Sequence, residues 1–277
     1  MKNKTFNAAK IIGIIVCSLA AILSLSALLW MILSSFKDRL EILSTPVKLF
    51  PKTWTMENYL NVFSDSGTKY LSSLLMTFLV SAAAVVLSLL ICMMAAYVFA
   101  RLNLPGKKFF WVYCISTMYI PGITIMLTSY LVVFNLKMLD TFWVLVLPGL
   151  VSGYNIFFFR QFFLGIPTSI EEAALVDGCG RFRIFTQIFI PMSKSPMVVL
   201  GASVFTAYWN SYLWPSLTIT QPKYMQIMQV VRSYTTMFTT DYGSMMAATF
   251  IAIIPPILLF FIFQKQIVKG VVLSGLK

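Results

Sequence analysis

Three carboxylates, Glu171, Glu172 and Asp177, fall within seven residues in a chain that has only nine acidic side chains among 277 residues. Carboxylates set this closely can move protons, hold a metal ion, or cap and anchor a helix. The first two uses need companions that the chain lacks. It has no histidine, the commonest metal ligand and general base. Its four cysteines, Cys17, Cys92, Cys114 and Cys179, form no C-x-x-C pair. Three of them lie inside apolar runs and read as small buried hydrophobes, so neither a disulfide framework nor a metal site is expected. No G-x-x-x-x-G-K-[ST] stretch occurs, so the chain is not expected to hold ATP.

The local pattern favours helix ends. Ser169, with Glu172 three residues on, reads as an S-x-x-E capping box. Ala173, Ala174 and Leu175 favour helix, and Gly178 can take the left-handed conformation that closes it after Asp177. A second amphipathic helix is expected from about 180 to 190, ending before Pro191. Its expected buried stripe is Phe182, Phe185, Ile188 and Phe189. The two alanines leave a small-residue face that another protein could approach closely.

This polar segment stands between strongly apolar runs. The chain is 59% hydrophobic and 11% charged, with a mean hydropathy of +0.85. Soluble domains carry about 25% charged residues. Crossing the hydrocarbon takes about 20 mostly apolar residues, and six runs qualify: 11–34, 70–100, 109–134, 141–163, 197–219 and 245–263. They must be helical, because backbone groups in lipid need internal partners. The expected fold is therefore an all-α polytopic membrane protein with six transmembrane helices in a single transmembrane domain, 1–277. The first run follows three lysines; it exceeds a usual signal-peptide core and is read as an uncleaved span.

Thirteen of the 21 Lys and Arg residues fall on the N-terminal side of the six runs and eight on the other. The positive-inside rule then places both termini, and the 166–194 loop, in the cytoplasm. The net charge of +12 forms no single basic face, so nucleic acid is not the expected partner. Outside, the 36–68 stretch is expected to hold a short interfacial helix around Thr55–Phe63, and 220–243 reads as a contact surface or a solvated connector. Pro121-Gly122, Pro148-Gly149, Pro215 and Pro255-Pro256 lie in or near runs, as hinges or as plain kinks.

The 165–196 segment resembles the EAA loop of ABC-importer permeases, E-A-A-x-x-x-G followed after nine residues by I-x-L-P. Glu172, Ala173, Ala174, Gly178, Ile188 and Pro191 match it, and Ile190 stands where leucine is usual. "PGLVSGYNIFFFRQFFLGIPTSIEEAALVDG" (148–178), "WNSYLWP" (209–215) and the tail "FQKQIVKGVVLSGLK" (263–277) resemble the carbohydrate-importer branch, of the maltose-transporter type. The last residues of the tail depart from that branch's usual ending.

The resemblance implies a type I ABC-importer permease fold in the plasma (inner) membrane of a prokaryote. It implies a heterodimer with a second homologous permease subunit, two cytoplasmic ABC ATPase subunits and an extracellular solute-binding protein. Glu172, Ala173, Ala174, Asp177, Gly178 and Pro191 would couple to the ATPase. ATP-Mg would sit on those ATPase subunits, and this chain would bind no cofactor and be no enzyme.

Sugar rings have apolar C–H faces that stack on aromatic rings, so Trp209, Asn210 and Tyr212 are candidates to line a substrate cavity. The same residue types also belong at membrane interfaces. Alternatives are a permease for an amino acid, a peptide or glycerol 3-phosphate, and an ion-coupled carrier. A carrier usually places ionisable groups inside its spans, and the central parts of the six runs have none.

Overall fold

The computed structural model describes residues 8–46, 48–64, 67–235 and 240–275. Lys2, Lys4 and Lys277, which entered the expected charge asymmetry, and the end of the altered tail lie outside the described residues. Among the described residues the regular structure is helical, with one isolated antiparallel bridge, Thr235 to Thr240.

Among the described residues three helices are long and apolar enough to cross a bilayer by themselves. They occupy Lys10–Ser34, Lys69–Arg101 and Tyr242–Gln266. They form the greater part of α1 (Ala8–Ser34), α4 (Gly67–Arg101) and α15 (Tyr242–Gly275). Between α1 and α4 lie the short helices α2 (Arg39–Ile42) and α3 (Glu57–Ser64), the latter on the segment expected to be an interfacial helix.

The remaining apolar sequence forms bent pairs. α5 (Lys107–Ser116), with a tight turn through Tyr119, meets α6 (Gly122–Asn135) at 106°. α7 (Phe142–Val146), with the turn Leu147–Gly149, meets α8 (Gly153–Leu164) at 52°. Proline chemistry explains the first break. Ile120 is extended, with φ −92° and ψ 116°, because the ring of Pro121 disfavours the helical region for the residue before it.

After α9 (Thr168–Val176), the chain forms α10 (Arg181–Ile184), a π-helical turn (Phe185–Phe189) and α11 (Ile190–Met192). These meet α12 (Lys194–Trp209) at 78°. The expected helical run 197–219 is thereby corrected. α12 stops at Trp209, and α13 (Leu213–Thr218) starts anew after a break. A continuous helix would set the ring of Pro215 against the carbonyl of Ser211 and forfeit a hydrogen bond. Restarting at Leu213 puts Pro215 in a first turn, where no N–H is needed. α14 (Ile227–Ser233) lies in the loop before α15.

The chain divides into two compact units. The first comprises 1–71 with 231–254. There, buried Asn58 donates through Nδ2 to the carbonyls of Ser35 (2.9 Å) and Lys37 (2.8 Å). Tyr70 donates to Ala248 O at 2.6 Å. Lys37 is fully buried; its ammonium donates to Lys48 O and stands 4.3 Å from the centre of the Trp30 ring. Burial pushes that ammonium below its ordinary pKa, against the pull of Glu41. α1 is apolar along its length with its spanning stretch unburied, so Cys17 is exposed rather than buried.

The second unit comprises 72–230 with 255–277. One core packs Met93, Ala96 and Tyr97 of α4 on Phe159 and Phe163 of α8, with Ile184, Phe185, Phe189 and Leu200. A second packs Val80 and Ala84 of α4 on Val144, Leu145 and Val146 of α7, with Leu150, Val204 and Ile219. Fully buried Ala84 and Ala96 let neighbouring helices approach closely, as small residues do in membrane bundles.

Candidate functional site

α9 starts without the expected capping box. Its N-cap is Pro167, at φ −56° and ψ 136°, with no side-chain cap bond. The proline ring has already fixed the entry angle, so the helix begins at Thr168 and Ser169 falls inside the first turn. Glu172 is then two positions too far along to reach back. The C-terminal end forms as the sequence indicates. Gly178 has φ +78°; its N–H donates to Leu175 O at 3.0 Å and the N–H of Cys179 to Ala174 O at 2.9 Å. This is the paired Schellman bonding that satisfies a helix's last carbonyls.

The carboxylate that holds the element is Glu171, one of the three carboxylates in the sequence cluster but not among the residues expected to couple. It is buried, with Arg101 Nε 3.6 Å from its Oε2 and the Arg181 guanidinium donating to its Oε1. Tyr97 Oη donates to the same Oε1 at 3.3 Å. Arg101, at the last residue of α4, also donates to Phe163 O at 2.6 Å and to Ile166 O, and its guanidinium stands 5.3 Å from the centre of the Phe189 ring. The side chains of Arg101 and Glu171 are 6% and 8% exposed, that of Arg181 49%. One carboxylate therefore ties α9 to the ends of α4 and α8 and to α10. A lone arginine at the end of an apolar run and a second arginine ten residues beyond Glu171 were the available signals.

The other side of α9 is bare. Glu172, Ala173, Asp177 and Gly178 are exposed, and Val176 is 87% exposed. Ala174 is buried against the first core. Pro191, also exposed, does not end the second helix as expected, since the chain stays helical through Met192. The π turn at 185–189 widens the helix just before the proline and relieves the clash that an α-helix would impose. The stripe also shifts. Ile184, Phe185 and Phe189 are buried, Ile188 is half-buried and Phe182 is 70% exposed.

The substrate candidates lie at and just beyond the end of α12. Trp209 is buried and stacked on Phe205, ring centres 5.3 Å apart. Asn210 is the C-cap of α12, and Tyr212 lies in the break before α13. None of the three lines the cavity of about 290 Å³ in the second unit. Their neighbours Tyr208, Ser211 and Trp214 do, because the helix ends at Trp209 and the following side chains no longer follow a helical period. Tyr208 Oη donates to Val146 O at 3.0 Å and Trp214 Nε1 to Val144 O at 2.9 Å. Gly149 makes room, since a Cβ there would stand 2.4 Å from Tyr208 Oη. Among the described residues no group of three or more His, Cys, Asp or Glu is gathered where it could hold a metal ion.

Residues 88–272 match the family model described as binding-protein-dependent transport system inner membrane component. The chain is 28% identical, over the whole of both proteins, to the arabinooligosaccharides transport system permease protein of Halalkalibacterium halodurans. It is 32% identical to the diacetylchitobiose uptake system permease protein of Streptomyces coelicolor, over 88% of this chain and 81% of that one. It is also 32% identical to the sn-glycerol-3-phosphate transport system permease protein of Escherichia coli O1:K1, over 85% of this chain and 86% of that one. The fold superposes on a chain from the crystal structure of a bacterial ABC transporter involved in the import of the acidic polysaccharide alginate. The TM-score is 0.83 at 20% identity, over 96% of this chain and 98% of that one.

Proposed function

The chain belongs to the family of binding-protein-dependent transport system inner membrane components, and from that premise we propose that it imports a carbohydrate as one of two unlike permease subunits of an ATP-driven transporter. Its spans conduct the solute; a binding protein outside delivers it; two ATPase subunits inside supply the work and hold ATP-Mg themselves. The chain binds no cofactor, carries out no reaction of its own, and keeps both termini in the cytoplasm as one permease domain of six passes.

The observation that carries the coupling is the two-sidedness of α9. Its inner side is locked by Glu171 to Arg101 and Arg181, and its outer side presents Glu172, Ala173 and Val176. A docked ATPase that moves as it closes on nucleotide would push this helix as a rigid piece. The push would pass through Arg101 into α4 and switch the access of the cavity, a two-state motion of packed helices. Asp177, Gly178 and Pro191 complete the coupling surface, with buried Ala174 seating the helix.

The named substrates of the H. halodurans and S. coelicolor relatives support a sugar. sn-Glycerol 3-phosphate is a second reading, favoured by the Escherichia coli relative. The test is copurification of the four-subunit complex with Glu172→Lys and Gly178→Asp. Both variants should reduce ATPase recovery and ATP-dependent uptake about tenfold, the effect of ~1.4 kcal/mol of lost docking free energy, with unchanged amounts of this chain in the membrane. Normal uptake by both would end the coupling assignment.

A further inference from the structure

The cavity in the second unit contains a polar group that the fold leaves incomplete. Gln226 is 1% exposed and lines it. The rest of this residue is tied down. Its N–H donates to Gln229 Oε1 at 2.9 Å, its Nε2 donates to Tyr224 O at 3.0 Å, and the next N–H, of Ile227, donates to Thr77 Oγ1 at 2.8 Å. Gln229 is held in turn by the carbonyls of Pro215 and Ile219. The Nε2 bond fixes which way the amide faces. Among the described residues, Gln226 Oε1 has no donor. A buried acceptor without a donor is costly and unusual in a folded protein.

The surroundings define what would satisfy it. Tyr208 and Trp214 spend their polar atoms on Val146 O and Val144 O, so they offer the cavity ring carbon. Ser129 and Ser211 add hydroxyls, and none of the residues lining the cavity carries a charge. A volume of about 290 Å³ is near the lower end of the roughly 300–1,000 Å³ of small-molecule sites.

We infer that this cavity is a transit site for one neutral, hydroxyl-bearing sugar ring, whose hydroxyl donates to Gln226 Oε1 while its C–H face lies on Tyr208 and Trp214. Gln226 then sets specificity for an uncharged unit over a phosphorylated or acidic one. The inference rests on the carbohydrate reading and adds to it a residue, a contact and a charge state.

The test uses the whole importer in proteoliposomes with its binding protein. The probes are neutral pentose and hexose sugars of one to three units and sn-glycerol 3-phosphate. If the wild type takes up no neutral probe, the carbohydrate reading fails and this inference with it. With a transported sugar in hand, Gln226→Met should raise its uptake KM about tenfold, the loss expected of one buried hydrogen bond. Vmax and basal ATPase activity should stay within about twofold. Among monodeoxy analogues of that sugar, one should lose the same factor in the wild type and nothing in Gln226→Met. An unchanged KM in Gln226→Met, or no such analogue, overturns the inference while sugar import stands. Should Gln226→Met fail to accumulate, Ser211→Cys in a cysteine-free background decides the matter. The transported sugar should slow its maleimide labelling about tenfold, and absence of protection overturns the site.

Discussion

Two acidic neighbours, Glu171 and Glu172, have opposite environments although the sequence gives them the same chemistry. Glu171 is buried between two arginines and Glu172 faces outward. Helical spacing separates them by about 100°, but only the positions of Arg101 and Arg181 decide which faces inward, and those are tertiary facts. Glu171→Gln should therefore leave Arg101 buried against a neutral partner. Breaking a buried pair in this way costs about 3–5 kcal/mol. Amide exchange over residues 168–178 should accelerate, while Glu172→Gln leaves it unchanged. Gly178 was legible because its constraint is local. Open space surrounds its Cβ position, yet its φ of +78° penalises any other side chain. Gly178→Asn should cost less stability than Gly178→Val, since asparagine tolerates that conformation and a β-branched residue does not.

A third carboxylate, Asp140, gives a pH dependence. It accepts from Gln221 N at 2.8 Å, from Thr220 N at 2.6 Å and from Thr220 Oγ1 at 2.7 Å. The Gln221 N–H and then the Thr220 donors hold its carboxyl below the ordinary value of 3.8. A depressed carboxylate pKa means that its stabilisation is whole above the ordinary value and is lost as pH falls through the folded one. Thermal unfolding at pH 7 and pH 3 should show a larger acid loss for the wild type than for Asp140→Asn.

At the scale of elements, apolar runs showed where helices lie but not where they break. The 109–134 run reads as one span, whereas the chain turns through 106° at Pro121. The proline could be read as a kink or a hinge; the angle depends on what the two limbs pack against. The 197–219 run likewise breaks at Asn210, between α12 and α13. Pro191 failed in the opposite direction, because a π turn cannot be seen in an i, i+4 pattern. The Leu147–Gly149 turn yields a test of its own. Gly149→Ala should push Tyr208 Oη off Val146 O and lower the melting temperature. Adding Tyr208→Phe should recover part of the loss, with a coupling of about 1 kcal/mol in a double-mutant cycle.

For the molecule as a whole, composition alone indicated helices in a membrane, because lipid permits little else. The sidedness rests on thirteen cations against eight, and it is directly measurable. A cysteine at position 172, in a background without the four native ones, should react with an impermeant maleimide only from the cytoplasmic face. Labelling from the outer face of intact cells would overturn the topology.

α9 and the turn that closes it also divide two duties between two sets of positions. Stiffness resides in Glu171, Ala174 and the Gly178 turn, and whatever recognises the helix from outside meets Glu172, Ala173 and Val176. On the coupling proposed above, selection, or an engineer, could exchange the outward trio to recruit a different motor without loosening the transmission. Grafting only those three side chains from another importer should redirect this permease to that importer's hydrolase.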